Sequence, residues 1–261
     1  MREGRQVEVT IEKLGGSGDG VAQVAGRPLY VPQALPGEVL RLWLGQESRI
    51  VRQELLSKSP ERVEPPCPHF PQCGGCSMQH LAEAPYLDWK RAIVVTALIQ
   101  HHVEGVTVLP VIKVPAQTRR RLTLAAVMAG GRVLLGYNAR ASHQVIDVTA
   151  CPVARPELVA LLPKLRRVLS PWLIKAGKLD VSLTLADDGI DILLTGHAPD
   201  LEAREAVAQL AAEPMVARVS WRKNERGEAE PVLGLRTPGI RSGAHRIELP
   251  VGSFLQPSVE S

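Results

Sequence analysis

Every cysteine of this 261-residue chain falls into one pattern: Cys67-x5-Cys73-x2-Cys76, then a distant Cys151. The string reads Pro66-Cys67-Pro68-His69-Phe70-Pro71-Gln72-Cys73-Gly74-Gly75-Cys76, and Cys151 is again followed by a proline. Gly74 and Gly75 let the backbone fold tightly around a metal centre and turn its amides towards sulfur. Four thiolates can hold a [4Fe–4S] cluster or a zinc ion. Structural zinc favours paired knuckles with two to four intervening residues, and only Cys73 and Cys76 have that form. Three close cysteines with a remote fourth favour the cluster; zinc and unrelated buried thiols stay open as alternatives. A disulfide pairing needs an oxidising compartment, which nothing in the sequence supports. A remote ligand also constrains the fold, because Cys151 would pin the cysteine loop to the sheet of the second domain. His69 and His80 lie close by and read as surface residues or neighbours of the site, not as ligands.

Turn chemistry divides the chain ahead of this loop into five short strands: Gln6–Leu14, Gly20–Val24, Arg27–Val31, Glu38–Gly45 and Ile50–Lys58. The breaks are a glycine-rich stretch at 15–20, Ala25-Gly26, and Ala34-Leu35-Pro36-Gly37. Five strands in so short a segment predict an all-β, OB-like barrel over 1–60, a common platform for single-stranded RNA. Gly16-Ser17-Gly18-Asp19-Gly20 imitates a nucleotide-binding loop. The residues after it read as another strand, whereas a cofactor loop opens a helix, so a barrel turn is expected.

A proline-rich linker at 62–66 leads into an α+β domain with antiparallel hairpins, expected over 61–250. Its first helix is predicted from Pro85 to His101, with Leu87, Val94, Ala97, Leu98 and His101 near one face. Hairpins are predicted at Arg119–Val127 with Arg132–Tyr137, at Leu179–Leu185 with Ile190–Thr195 across Asp188-Gly189, and at Val216–Arg222 with Glu230–Leu235. Helices are predicted at Pro156–Leu169 and Leu201–Ala212. With aromatics at only 3%, the core must be built from Val, Leu, Ala and Ile.

Net charge is +4, weak evidence for a polyanionic partner by itself. Its distribution says more. No acidic residue lies between Glu104 and Asp147, a stretch holding Lys113, Arg119, Arg120, Arg121, Arg132 and Arg140. Unopposed guanidinium groups are what phosphate contact requires, and a solvated basic face is the alternative. No apolar run reaches the roughly 18 residues of a membrane span. The opening Met1–Leu14 reads as a strand, not a signal peptide, so a cytoplasmic monomer is expected.

Two groups of motifs carry a family resemblance. Gly18-Asp19-Gly20-Val21-Ala22 and Tyr30-Val31-Pro32-Gln33-Ala34-Leu35-Pro36-Gly37-Glu38 resemble the TRAM domain, an RNA-binding OB-like barrel. Gln33 stands where that loop usually has glycine. Ser59-Pro60-Glu61-Arg62-Val63 and the cysteine string resemble the bacterial RNA (uracil-5-)-methyltransferases, most closely those that modify 23S ribosomal RNA and carry a [4Fe–4S] cluster. The resemblance covers essentially the whole chain. It implies Cys67, Cys73, Cys76 and Cys151 as cluster ligands, Arg119, Arg120, Arg121 and Arg132 as RNA contacts, and S-adenosylmethionine as methyl donor. Gly252-Ser253-Phe254-Leu255-Gln256 resembles the family's segment in which a glutamine, here Gln256, contacts that donor.

The resemblance also predicts a Rossmann-like methyltransferase domain that these residues do not supply, 251–261 being only its start. In the family's chemistry a cysteine adds to uracil C6, C5 takes the methyl group, and a base removes the C5 proton. With all four cysteines assigned to the cluster, none is spare as nucleophile. The chain is therefore expected to be a fragment, inactive alone. The alternatives are an RNA-binding iron–sulfur protein without catalysis and, less favoured, a small redox carrier.

Overall fold

The computed structural model describes residues 5–260; Met1 to Gly4, ahead of the first predicted strand, and Ser261 lie outside them. The chain divides into two compact units, residues 1–66 with 76–113, and residues 67–75 with 114–261.

The first unit holds two three-stranded antiparallel sheets. Strands β1 (Arg5–Thr10), β5 (Val39–Leu44) and β6 (Ile50–Ser57) form one, and β2 (Lys13–Leu14), β3 (Gly20–Val24) and β4 (Arg27–Val31) the other. Alternation decides which way β5 faces: Leu40, Leu42 and Leu44 enter a core with Val9, Ile11, Ala22 and Val31, while Arg41 and Trp43 turn outward. The predicted first strand is divided at Ile11 and Glu12. There the Ile11 N–H donates to Glu38 O and the Glu12 N–H to Val21 O, so the chain passes from one sheet to the other. Gly20 opens β3, as the barrel-turn reading of the glycine run requires.

Glu38 ties this unit together. It is fully buried, and its carboxylate accepts from the Leu35 and Ser59 backbone N–H groups and from Arg62 Nε at 2.6 Å and Nη2 at 2.8 Å. Burial alone would push the carboxyl up; the Arg62 and backbone hydrogen bonds outweigh it and hold the group below its ordinary value of 4.5. Helix α1 (Glu83–Gln100) forms where the spacing predicts, but none of its residues is buried, and Val94 and Ile99 stand in solvent. It is held instead at its first turns, where Trp89 Nε1 donates to Gly15 O and Tyr86 and Trp89 pack against Leu35, Met78 and Leu81.

The second unit is one seven-stranded sheet, in the order β13-β12-β11-β10-β7-β8-β9. Its strands are β7 (Arg121–Ala129), β8 (Arg132–Asn138), β9 (Val145–Asp147), β10 (Lys178–Ala186), β11 (Gly189–Gly196), β12 (Val216–Arg222) and β13 (Glu230–Gly234). Helix α2 (Pro156–Ala176) covers one face with Leu158, Leu161, Leu162, Leu165, Val168, Leu169, Trp172 and Leu173, spaced three and four apart as one helical face demands. It runs past the predicted end at Leu169 and through Pro163 and Pro171. A short hairpin of β14 (Gly239–Ser242) and β15 (His245–Glu248) follows. Among the described residues no helix is long and apolar enough to cross a membrane.

This sheet corrects the expected fold class. The domain is not built from antiparallel hairpins alone: β11 and β12 run parallel, joined through α3 (Leu201–Ala208). A parallel return needs a crossover and cannot be made by a tight turn. Directly across that parallel pair, Asp191 receives Arg218 in a bidentate pair at 2.9 and 2.8 Å, and Arg218 also donates to Leu249 O.

Removing one partner of a buried ion pair costs roughly 3 kcal/mol, so Glu38→Gln is expected to destabilise the first unit by about that much in urea unfolding. The folded Glu38 carboxyl titrates below 4.5. Its stabilisation is therefore complete above that pH and is lost as pH falls through the depressed pKa. The parent should lose stability in that acidic window while Glu38→Gln loses less; parallel pH profiles would contradict the assignment.

Candidate metal centre

The cysteine loop meets the sheet through one isolated β-bridge. Cys73 forms an antiparallel bridge with Ala139, just beyond β8, and the Gly74 N–H donates to Asn138 O at 3.0 Å. A Cβ on Gly74 would lie 2.6 Å from that same oxygen, so only glycine permits this approach. A Cβ on Gly75 would come within 3.3 Å of the Tyr137 ring. Within the loop the Phe70 N–H donates to Cys67 O and the Cys73 N–H to His69 O.

Cys151 arrives from the other side. Strand β9 is fastened by Arg166 of α2, whose Nε and Nη2 reach Asp147 Oδ1 at 2.9 and 2.7 Å. After Cys151, Pro152 O accepts the Gln117 N–H and Val153 O the Arg119 N–H. Between these anchors, His69 Nε2 receives the Thr149 N–H at 3.0 Å and the Ala150 N–H at 3.3 Å. Sequence reasoning set His69 aside because a lone histidine has no local signal of such a partner. His80, also set aside, is buried in the first unit.

Cys67, Cys73 and Cys151 are thereby brought together within the second unit, and Cys73 and Cys151 pack against its core. Burial pushes the Cys73 thiol up, the neighbouring Cys67 and Cys151 push the same way, and the Gly75 N–H opposes them. Cys76 belongs to the first unit, where burial raises the Tyr86 hydroxyl pKa and the Cys76 charge adds to the rise. All four cysteines are half-buried, and none is in a disulfide. Among the described residues no group of three or more His, Cys, Asp or Glu side chains forms a ready single-ion site.

The arginines expected to face RNA have other work in this structure. Arg119 Nε donates to Arg121 O, Arg120 Nε to Gln256 O, and Arg121 Nη1 to Leu255 O. The Arg121 guanidinium also lies 5.1 Å over the Phe254 ring. Arg120 and Arg121 clamp residues 254–257 beside the start of β7, and the Gln256 side chain is exposed. Burial lowers the Arg120 pKa, with Asp187 and Glu260 opposing. It lines a cavity of about 170 Å³ with Thr118, Arg155, Glu157 and Asp187. Arg132 is exposed at the β7–β8 turn.

Residues 1–41 match the TRAM domain family, as the motif reading of the barrel implies. An uncharacterized RNA methyltransferase of Brucella suis is 36% identical over 262 residues, covering 100% of this chain and 61% of its own. One from Caulobacter vibrioides is 39% identical over 95% of this chain and 60% of its own. The 23S rRNA (uracil(1939)-C(5))-methyltransferase of Pectobacterium atrosepticum is 35% identical over 78% of this chain and 47% of its own. The crystal structure of Pyrococcus abyssi tRNA (uracil-54, C5)-methyltransferase with S-adenosyl-L-homocysteine matches with a TM-score of 0.68 and 19% identity, over 96% of this chain and 61% of that one. The chain thus spans about 60% of the length of the first relatives it matches. The description of the fold by a missing domain is corrected here: 96% of the chain follows a methyltransferase structure. The expectation of an inactive fragment finds no support in these likenesses.

Overpacking at the Gly74 contact is expected to cost about 1–3 kcal/mol. Gly74→Ala should destabilise the second unit by that amount and expose Cys73 to thiol reagents; unchanged stability and reactivity would contradict the docking described.

Proposed function

We propose that this chain belongs to the RNA (uracil-5-)-methyltransferases and serves S-adenosylmethionine-dependent methylation of uridine C5, with ribosomal RNA as substrate. The observation that carries the reading is the whole-length similarity to RNA methyltransferases at 36% identity. Uracil C5 as the target rests on the 23S rRNA relative. Ribosomal RNA is favoured over transfer RNA because that relative is close in sequence, whereas the tRNA enzyme shares the fold at 19% identity.

On this reading the barrel and the basic stretch grip looped RNA, whose bases can be turned out for reaction. Arg132 contacts phosphate directly. Arg120 and Arg121 act at one remove, by holding residues 254–257, and Arg119 by bracing the Arg121 carbonyl; the exposed Gln256 amide would be the group that contacts the methyl donor. S-adenosylmethionine supplies the methyl group when bound.

The thiols fit a [4Fe–4S] cluster in donor chemistry: Cys67 and Cys151 lie near enough to raise the Cys73 thiol, and a backbone N–H is directed at Cys73 sulfur. Cys76 is the third residue after Cys73, so the chain keeps it within roughly 11 Å. Cys67, Cys73, Cys76 and Cys151 would hold the cluster, which when bound would cross-link the loop to the Cys151 arm.

Deleting the coding sequence and mapping 5-methyluridine by mass spectrometry tests the function. Loss of one such residue in ribosomal RNA is expected; loss confined to transfer RNA would overturn the substrate, and no loss the function. Arg132→Ala should lower the salt slope of RNA binding by about 0.7–0.9, the value of one phosphate contact. An unchanged slope would mark Arg132 as merely solvated.

A further inference from the structure

We propose that His69 is the positioning residue that gathers the three cysteine arms of the second unit, through its ring and its backbone together. Cys67 lies two residues before it, and the Phe70 N–H donating to Cys67 O closes a turn around it. Its own carbonyl accepts the Cys73 N–H at 2.8 Å. Its ring reaches across 80 residues to the arm that carries Cys151.

The ring contact fixes a chemical state. Two backbone donors converge on Nε2, the Thr149 N–H at 3.0 Å and the Ala150 N–H at 3.3 Å, with Thr149 Oγ1 3.2 Å away. A nitrogen facing two backbone N–H groups must offer a lone pair, so the neutral ring carries its proton on Nδ1. With Nε2 occupied by amides, His69 is not a metal ligand through that atom. It clasps the loop from Cys67 to Cys73 against the residues just before Cys151. The clasp uses protein groups alone, so it can order the arms ahead of a cluster and leave less ordering for cluster binding. Its value to the metal site rests on the cluster reading above; the clasp itself does not.

The test uses the full chain, metal-free under reductant and then after anaerobic reconstitution with iron and sulfide. In the metal-free protein, hydrogen exchange at Thr149 and Ala150 should rise about tenfold in His69→Leu, which keeps the carbonyl but loses the ring acceptor. His69→Gln, whose amide oxygen can accept, should restore most of the protection. In the parent, nitrogen-15 spectra of the imidazole should show Nδ1–H and a bare Nε2, a readout that holds even if His69→Leu fails to fold. Unchanged exchange, or a proton on Nε2, overturns the clasp. After reconstitution the His69→Leu cluster should bleach in air several-fold faster than that of the parent. Equal durability overturns the link to the metal site. Altered exchange in a parent that takes up no cluster leaves the clasp standing and overturns the cluster reading alone.

Discussion

The close approach of Gly74 to Asn138 fixes the geometry on which the candidate site depends. An isolated β-bridge ties the loop to the residue just after β8, and its neighbouring hydrogen bond exists because position 74 has no side chain to strike the Asn138 carbonyl. That contact sets where Cys73 stands. The sheet, with α2 packed on β7, β8 and β10, then determines where Cys151 emerges after β9. Arg166 extends the coupling by joining α2 to Asp147 four residues before Cys151. Cys73 and Cys151 are thus held against a large hydrophobic core.

A second constraint works the same way in the first unit. Glu38 is buried at the point where the chain switches between the two small sheets, and Arg62 supplies the charge that makes its burial tolerable. Several donors satisfy Glu38 at once, and the cost of burying such a group unpaired explains why.

Much of this was legible in the sequence because it is local. Leu40, Leu42 and Leu44 alternate, and Asp188-Gly189 announces a hairpin that is found with Ala186 opposite Gly189. What was not legible depends on partners far along the chain. Strand β11 is buried on both faces, so its pattern cannot tell a parallel neighbour from an antiparallel one. Helix α2 outlasts two prolines because its leucine face and Trp172 continue to find core on the far side of each. The apolar side of α1 has the right spacing yet remains in solvent. His69 finds its partners 80 residues away, and Arg120 and Arg121 read as phosphate contacts until the segment they clamp is seen.

Iron and acid-labile sulfide per chain, measured on protein purified without air, test the account most directly. The cysteine geometry predicts roughly four of each and a brown chromophore, as a four-thiolate [4Fe–4S] site requires. A colourless protein carrying one zinc per chain, or four thiols that remain fully reactive after reconstitution, would contradict it.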